Sequence, residues 1–199
     1  RFTTIRAGRD FPYEMPEYKT LADWEKRAAY LREKILITTG LWPKPEKTPL
    51  NAKVFDKVER DDYTIEKVYF ESYPGFYVTG SLYRPKGKQG PFPAIISPHG
   101  HWEEGRLVNT EINSVPGRCI NFARQGYVIF AYDMIGYADN MQVNHRFTDT
   151  KLHQAWGISI LGIQLWNSIR ALDFIETLPD VDTERIGITG ASGGGTQTF

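Results

Sequence analysis

A single cysteine, Cys119, excludes an intrachain disulfide and any zinc site built on cysteine. Charge of one sign is also missing. With 24 basic and 24 acidic residues the formal charge is zero, so no global field draws in nucleic acid or an anionic membrane. No apolar run approaches the roughly 18 to 20 residues of a membrane span, and no cationic and apolar leader is visible. The expected chain is soluble, with no nucleic-acid or membrane partner. The sequence lacks the spacing H-E-x-x-H and the phosphate loop G-x-x-x-x-G-K-[ST], so no metal site is expected. Histidine is scarce too: His99, His101, His145 and His153 are all four, and none follows residue 153.

What the chain does have is core material. Of its 199 residues 41% are hydrophobic and 14% aromatic, enough for one domain or most of a larger one. In "KTLADWEKRAAYLREKILITTGLWP", Leu21, Trp24, Ala28, Leu31, Ile35 and Leu36 recur at helical spacing, and Gly40 with Pro43 supplies a stop. "PKPEKTPLNAK" reads as a loop. "YTIEKVYFESYPGFYVTGSLYRP" alternates around Tyr73-Pro74-Gly75 and predicts an antiparallel hairpin.

From Phe92 onward short apolar runs alternate with helical segments, which predicts a parallel sheet in an α/β fold. "PAIISPHGH" is a strand entering a polar loop, "GRCINFARQG" a helix, and "YVIFAYD" a strand ending at Asp133. "ISILGIQLWNSIRALDFIETLPD" predicts a helix ending near Pro179, with Ile158, Leu161, Leu165, Ile169, Leu172 and Ile175 on its apolar face. "RIGITG" is a third strand, delivering Ser192 at its carboxyl end, where open α/β sheets bind ligands.

Gly190-Ala191-Ser192-Gly193-Gly194 fits G-x-S-x-G. The glycines let a strand turn sharply into a helix, and the strained turn exposes the serine hydroxyl as a nucleophile. A nucleophile attacking a carbonyl needs backbone donors for the oxyanion. One expected donor is the Gly193 N–H; the other comes from the "SPHGHW" loop, where Gly100 allows close approach and makes the His101 N–H the natural second donor. His99, Gly100 and Trp102 are candidates for substrate binding, with His99 alternatively bracing the loop and Trp102 either stacking on a sugar ring or packing. His99 or His101 as general base is the less favoured reading, because in such hydrolases the base follows the serine. His145 and His153 are expected in a loop or cap, Asp133 as the cap of a turn, and Asp180, Asp182 and Arg185 as a turn with a local ion pair.

"SPHGH", "GYVIFAYDMIGYADN" and "QLWNSIRALDFIETLPDVDTERIGITGASGGGTQTF", with the hairpin before them, resemble the acetyl xylan esterase-like branch of the α/β-hydrolase superfamily, related to dienelactone hydrolases. The resemblance runs from about Tyr63 to Phe199. It implies a mostly parallel sheet flanked by helices, with the family's third strand beside its fifth, so that the His101 loop lies against Ser192. It further implies hydrolysis of a small-molecule or carbohydrate ester, commonly deacetylation, without a cofactor. In that family an acid and then a histidine follow the serine, and neither residue type occurs after Ser192. The expectation is therefore one incomplete domain over residues 1–199: a helical extension and loop over 1–50, then a hairpin and sheet core over 51–199 that stops at the elbow. Such a chain would be poorly soluble and inactive alone. A serine peptidase of the prolyl-oligopeptidase type and a non-catalytic carbohydrate-binding relic stay open as alternatives. Location stays open as well, with secretion or the periplasm favoured over the cytoplasm, and oligomeric state is not legible.

Overall fold

Six strands form one sheet in the order β1-β2-β3-β5-β4-β6 in the computed structural model, which describes residues 16–147 and 150–199. The expected hairpin is β2 (Tyr63–Tyr73) and β3 (Phe76–Pro85), paired antiparallel from Tyr63↔Pro85 to Tyr73↔Phe76. A strand the sequence reading missed, β1 (Lys53–Glu59), pairs antiparallel with β2. The remaining strands are β4 (Phe92–Ile96), β5 (Val128–Tyr132) and β6 (Val181–Ile188). β4 runs parallel to both β5 and β6, while β3 joins β5 antiparallel. The sheet is thus mixed, and β4 lies between its parallel partners.

Strand alternation divides the core. Val128, Phe130 and Tyr132 of β5 face one way, with Phe70, Val78, Leu82 and Ile96, against Phe174 and Ile175 of the helix α4 (Ile160–Glu176). Ile129 and Ala131 face the other way, with Tyr83, against Val115, Cys119 and Ala123 of α2 (Val115–Gln125). The Phe174 ring stacks on Phe70 at 5.5 Å and meets Phe130 edge-on at 5.1 Å. Burial pushes the Cys119 thiol up to about 11, so it is an inert core group.

The helix α1 (Leu21–Thr39) begins as expected, with a reciprocal cap between Thr20 and Asp23, and stops at Gly40 in the left-handed region at φ 77°. Its predicted apolar face is a correction. Only Ala28 and Thr39 of the helix are buried, and Leu21, Trp24, Leu31 and Ile35 are exposed. The C-terminus of α1 docks on α4, where Ser159 Oγ donates to the Thr39 carbonyl at 2.9 Å. Of the extension expected over 1–50, residues 1–15 lie outside the described residues.

α4 carries a second correction. It ends near Pro179 as expected, at Glu176, but the face it buries differs, with Gln164, Trp166, Asn167, Ser168, Arg170, Ala171 and Phe174 inside. Of the predicted stripe only Ile175 is fully buried; Ile158 and Leu161 are exposed. Of the polar residues buried on this side, Arg170 pairs with Asp173 and donates to the Thr48 carbonyl, and Ser168 shares a hydrogen bond with Tyr132 at 2.7 Å, while Asn167 Oδ1 has no partner among the described residues. Leu165, Ile169 and Leu172 instead line a groove of about 590 Å³ with Leu36, Leu41, Ile186, Ile188 and Phe199.

Candidate active site

β6 ends at Ile188, and the chain turns through Gly190 to Ser192 and into the short helix α5 (Gly193–Thr198). Ser192 has φ 55° and ψ −118°, a backbone conformation that costs a non-glycine residue about 1 to 3 kcal/mol. The turn survives because its neighbours leave no alternative. A methyl group at Gly194 would lie 2.4 Å from the Pro98 carbonyl oxygen and 2.8 Å from that of His99; one at Gly190 would lie 2.6 Å from Gly194. Both glycines of G-x-S-x-G are thus required by backbone packing. From below, Tyr132 donates to Gln197 Oε1 at 2.9 Å, and Gln197 Nε2 donates to the Gly193 carbonyl at 3.1 Å.

The loop after β4 is the other wall. Gly100 fits between the Trp102 ring and the Ala191 carbonyl oxygen, which a methyl group there would approach to 2.8 and 2.9 Å. This brings His101 and Ser192, 91 residues apart, together: His101 Nδ1 is 3.1 Å from Ser192 Oγ. The His101 ring also covers Gly193, whose substituted methyl would lie 2.7 Å from Cε1. Trp102 is half-buried and packs against the core beneath α2, so its ring is a wall of the loop.

His99, the other histidine of the loop, is corrected as a substrate contact. Its side chain is fully buried. Nδ1–H donates to the Gly100 carbonyl at 2.6 Å and Nε2 accepts from the Met134 N–H at 3.0 Å, which fixes a neutral ring. Burial is the main cause that pulls its pKa down to about 4. His99 braces the loop against the end of β5.

Sequence reasoning missed the floor beneath that brace. Asp133, fully buried, receives Thr79 Oγ1 at 2.8 Å, the Asp139 N–H at 3.3 Å, and Arg106 Nη1 on the same oxygen. Arg106 is 5% exposed; it also donates to Asp139 at 2.6 Å and to Ser81 at 3.0 Å. Burial holds the Asp133 carboxyl above the usual carboxylate range, against the pull of Arg106. Asp133 does cap the turn after β5, but as half of a buried ion pair. Nothing in "HWEEGRL" separates Arg106 from a solvated loop charge.

His145 lies in the segment read as a cap, and its ring packs edge-on against His101 at 5.1 Å and Tyr137 at 5.0 Å. His153 instead meets Thr150 at 2.6 Å and Phe147; residues 148 and 149 of that segment lie outside the described residues. The ion pair Asp182–Arg185 forms at 2.6 Å as expected, though inside β6, while Asp180 pairs with Arg84 of β3 at 2.9 Å. Among the described residues no cluster of histidine, cysteine and carboxylate side chains suits a metal ion, and no helix is long and apolar enough to cross a membrane.

A family profile described as acetyl xylan esterase matches residues 47–199. The chain belongs to this family. A putative hydrolase, YtaP, of Bacillus subtilis (strain 168) is 25% identical over 164 residues, 76% of this chain and 52% of the relative. Among solved structures, the methylesterase BT1017 is 32% identical with a TM-score of 0.71, over 91% of this chain and 39% of that one. A putative acetyl xylan esterase of Bacteroides fragilis NCTC 9343 is 19% identical with the same TM-score, over 88% and 49%. These likenesses identify the mixed sheet and its helices as the α/β-hydrolase fold. The chain spans about half the length of the curated relative of Bacillus subtilis.

Proposed function

We propose that this chain carries the nucleophile of a serine esterase acting on acylated carbohydrate. The observation that carries the reading is Ser192 on a strained, glycine-walled turn with the His101 loop packed against it. Membership of the acetyl xylan esterase family supports the substrate class, and the likeness to a methylesterase supports ester chemistry.

In this reading Ser192 Oγ attacks the ester carbonyl carbon while a base takes its proton. The carbonyl π electrons move onto oxygen, and the Gly193 and His101 N–H groups hold the oxyanion. Collapse expels the sugar alkoxide, which recovers the proton, and water then releases the acid from the acyl-serine. We assign the base and its orienting acid to sequence that follows the serine in the longer relatives.

The test is hydrolysis of 4-nitrophenyl acetate and acetylated xylan by the full-length protein, with fluorophosphonate labelling of the serine. Ser192→Ala should lower turnover by about 10⁴ to 10⁶ and abolish labelling. Cleavage of a peptide amide in preference to acetyl esters would move the site to the peptidases. A full chain that neither labels nor turns over ester would return it to carbohydrate binding.

A further inference from the structure

Reading Ser192 as the nucleophile leaves one group at the serine without a role. The His101 imidazole stands with Nδ1 3.1 Å from Ser192 Oγ, a contact separate from anything its backbone N–H does. The ring is held in place. Gly193 lies against it, close enough that a methyl there would be 2.7 Å from Cε1 and 3.1 Å from Nδ1 itself. Tyr137 and His145 meet the ring edge-on at 6.1 and 5.1 Å. These two are fixed in turn: His145 Nδ1–H donates to the Ile135 carbonyl at 2.9 Å, and Tyr137 packs edge-on against buried His99 at 5.5 Å. His101 is exposed, yet desolvation by the groups around its ring, and then the neighbouring His145, lower its pKa, so at neutral pH the ring offers one N–H and one lone pair.

We propose that the His101 side chain is a catalytic residue, a third hydrogen-bond donor to the oxyanion beside the two backbone N–H groups. The proposal rests on Ser192 being the nucleophile. During attack the Oγ hydrogen leaves toward the base, so Oγ presents a lone pair to His101 and Nδ1 carries the N–H. As the Oγ–C bond forms, negative charge develops on the carbonyl oxygen, two bonds from Oγ. The Nδ1–H donor follows the charge from Oγ to that oxygen. When the intermediate collapses, the C=O bond re-forms and the alkoxide leaves with the base's proton. No proton enters or leaves His101 at any step.

Three variants of the full-length protein test this. His101→Phe keeps the backbone N–H and a ring over Gly193 but has no donor. His101→Asn sets an amide nitrogen close to the place of Nδ1, and His101→Ala serves if the phenyl ring crowds Gly193. Hydrolysis of 4-nitrophenyl acetate gives kcat and KM, and a boronic acid that adds to the serine reports oxyanion binding. His101→Phe should lower kcat about 10- to 100-fold with KM changed by less than about threefold, and weaken the boronic acid by a similar factor. His101→Asn should recover most of both losses with an unaltered pH profile. Parental activity in His101→Phe would overturn the proposal, since the backbone alone would then suffice. Equal losses in Phe and Asn would also overturn it, since an amide can donate but cannot act as a base. If Ser192→Ala stayed active, the nucleophile assignment itself would fall, and this proposal with it.

Discussion

Around Asp133 polar and charged side chains are buried, whereas along α4 and β6 apolar side chains are exposed among the described residues. Asp133, Arg106 and His99 lie at 0%, 5% and 0% exposure, whereas Leu161 and Ile188 stand at 37% and 36%. Residue type alone would order these the other way. The floor can bury ions because β3, the Gly105–Leu107 turn and the loop after β5 all supply fixed partners. The flank stays open because no described element covers the groove between α1, α4 and β6. Burial thus follows the supply of partners and covering elements.

The sharpest way to break the contrast is at the elbow above the floor. Gly194→Ala sets a methyl against two backbone carbonyls that cannot step aside, and should cost more than about 4 kcal/mol and reduce fluorophosphonate labelling to background. Gly195→Ala is the control, since its methyl would meet nothing nearer than 3.5 Å. Arg106→Leu comes next. It strands the Asp133 carboxylate in the interior, at a cost of about 3 to 5 kcal/mol by urea unfolding; Arg106→Leu with Asp133→Leu should cost less than the two single changes together.

A change of pH probes the same floor. The His99 pKa falls from 6.5 to about 4 on folding, so between those values the unfolded chain binds more protons and stability drops as the pH falls. The loss between pH 6.5 and pH 4 is on the order of 3 kcal/mol. Asp133 opposes this: its folded carboxyl is raised, so its contribution grows as the pH falls toward its unfolded value. The two separate by mutation. His99→Gln should flatten the descent of the melting midpoint between pH 6.5 and pH 5. On the flank the effects should be smallest: Leu161→Ala, at an exposed position of α4, should cost less than about 1 kcal/mol, against about 3 to 5 for Phe174→Ala in the core. A Leu161→Ala cost equal to that of Phe174→Ala would erase the distinction between the two regions.

Most elements of the fold were legible because their signals are local. The hairpin alternates around its turn, the parallel strands are short apolar runs, and Gly40 stops α1 where a left-handed residue is required. β1 gave no such signal: every residue of Lys53–Glu59 is exposed, and a break in register interrupts its pairing. The faces of α1 and α4 were misread because periodicity shows which side of a helix is apolar, not whether anything packs on it. At the site, the sequence brought His101 and Ser192 together through the pattern of the elbow and loop. It could not show that His99 and His101, two residues apart, would point one ring into the core and the other at the serine. Arg106 and His145 owe their places to contacts far away in sequence, which no local pattern carries.

The contact between the His101 loop and the elbow also has a bearing on time. Its two halves are 91 residues apart, and they meet only through the parallel pairing that sets Ile96 beside Ile188. Closing so long a loop against a parallel partner is slow compared with zipping the β2–β3 hairpin. During refolding, reactivity toward a fluorophosphonate should therefore emerge after most of the circular-dichroism signal has returned. Ser192 would act as the molecule's clock, silent until β6 has paired with β4.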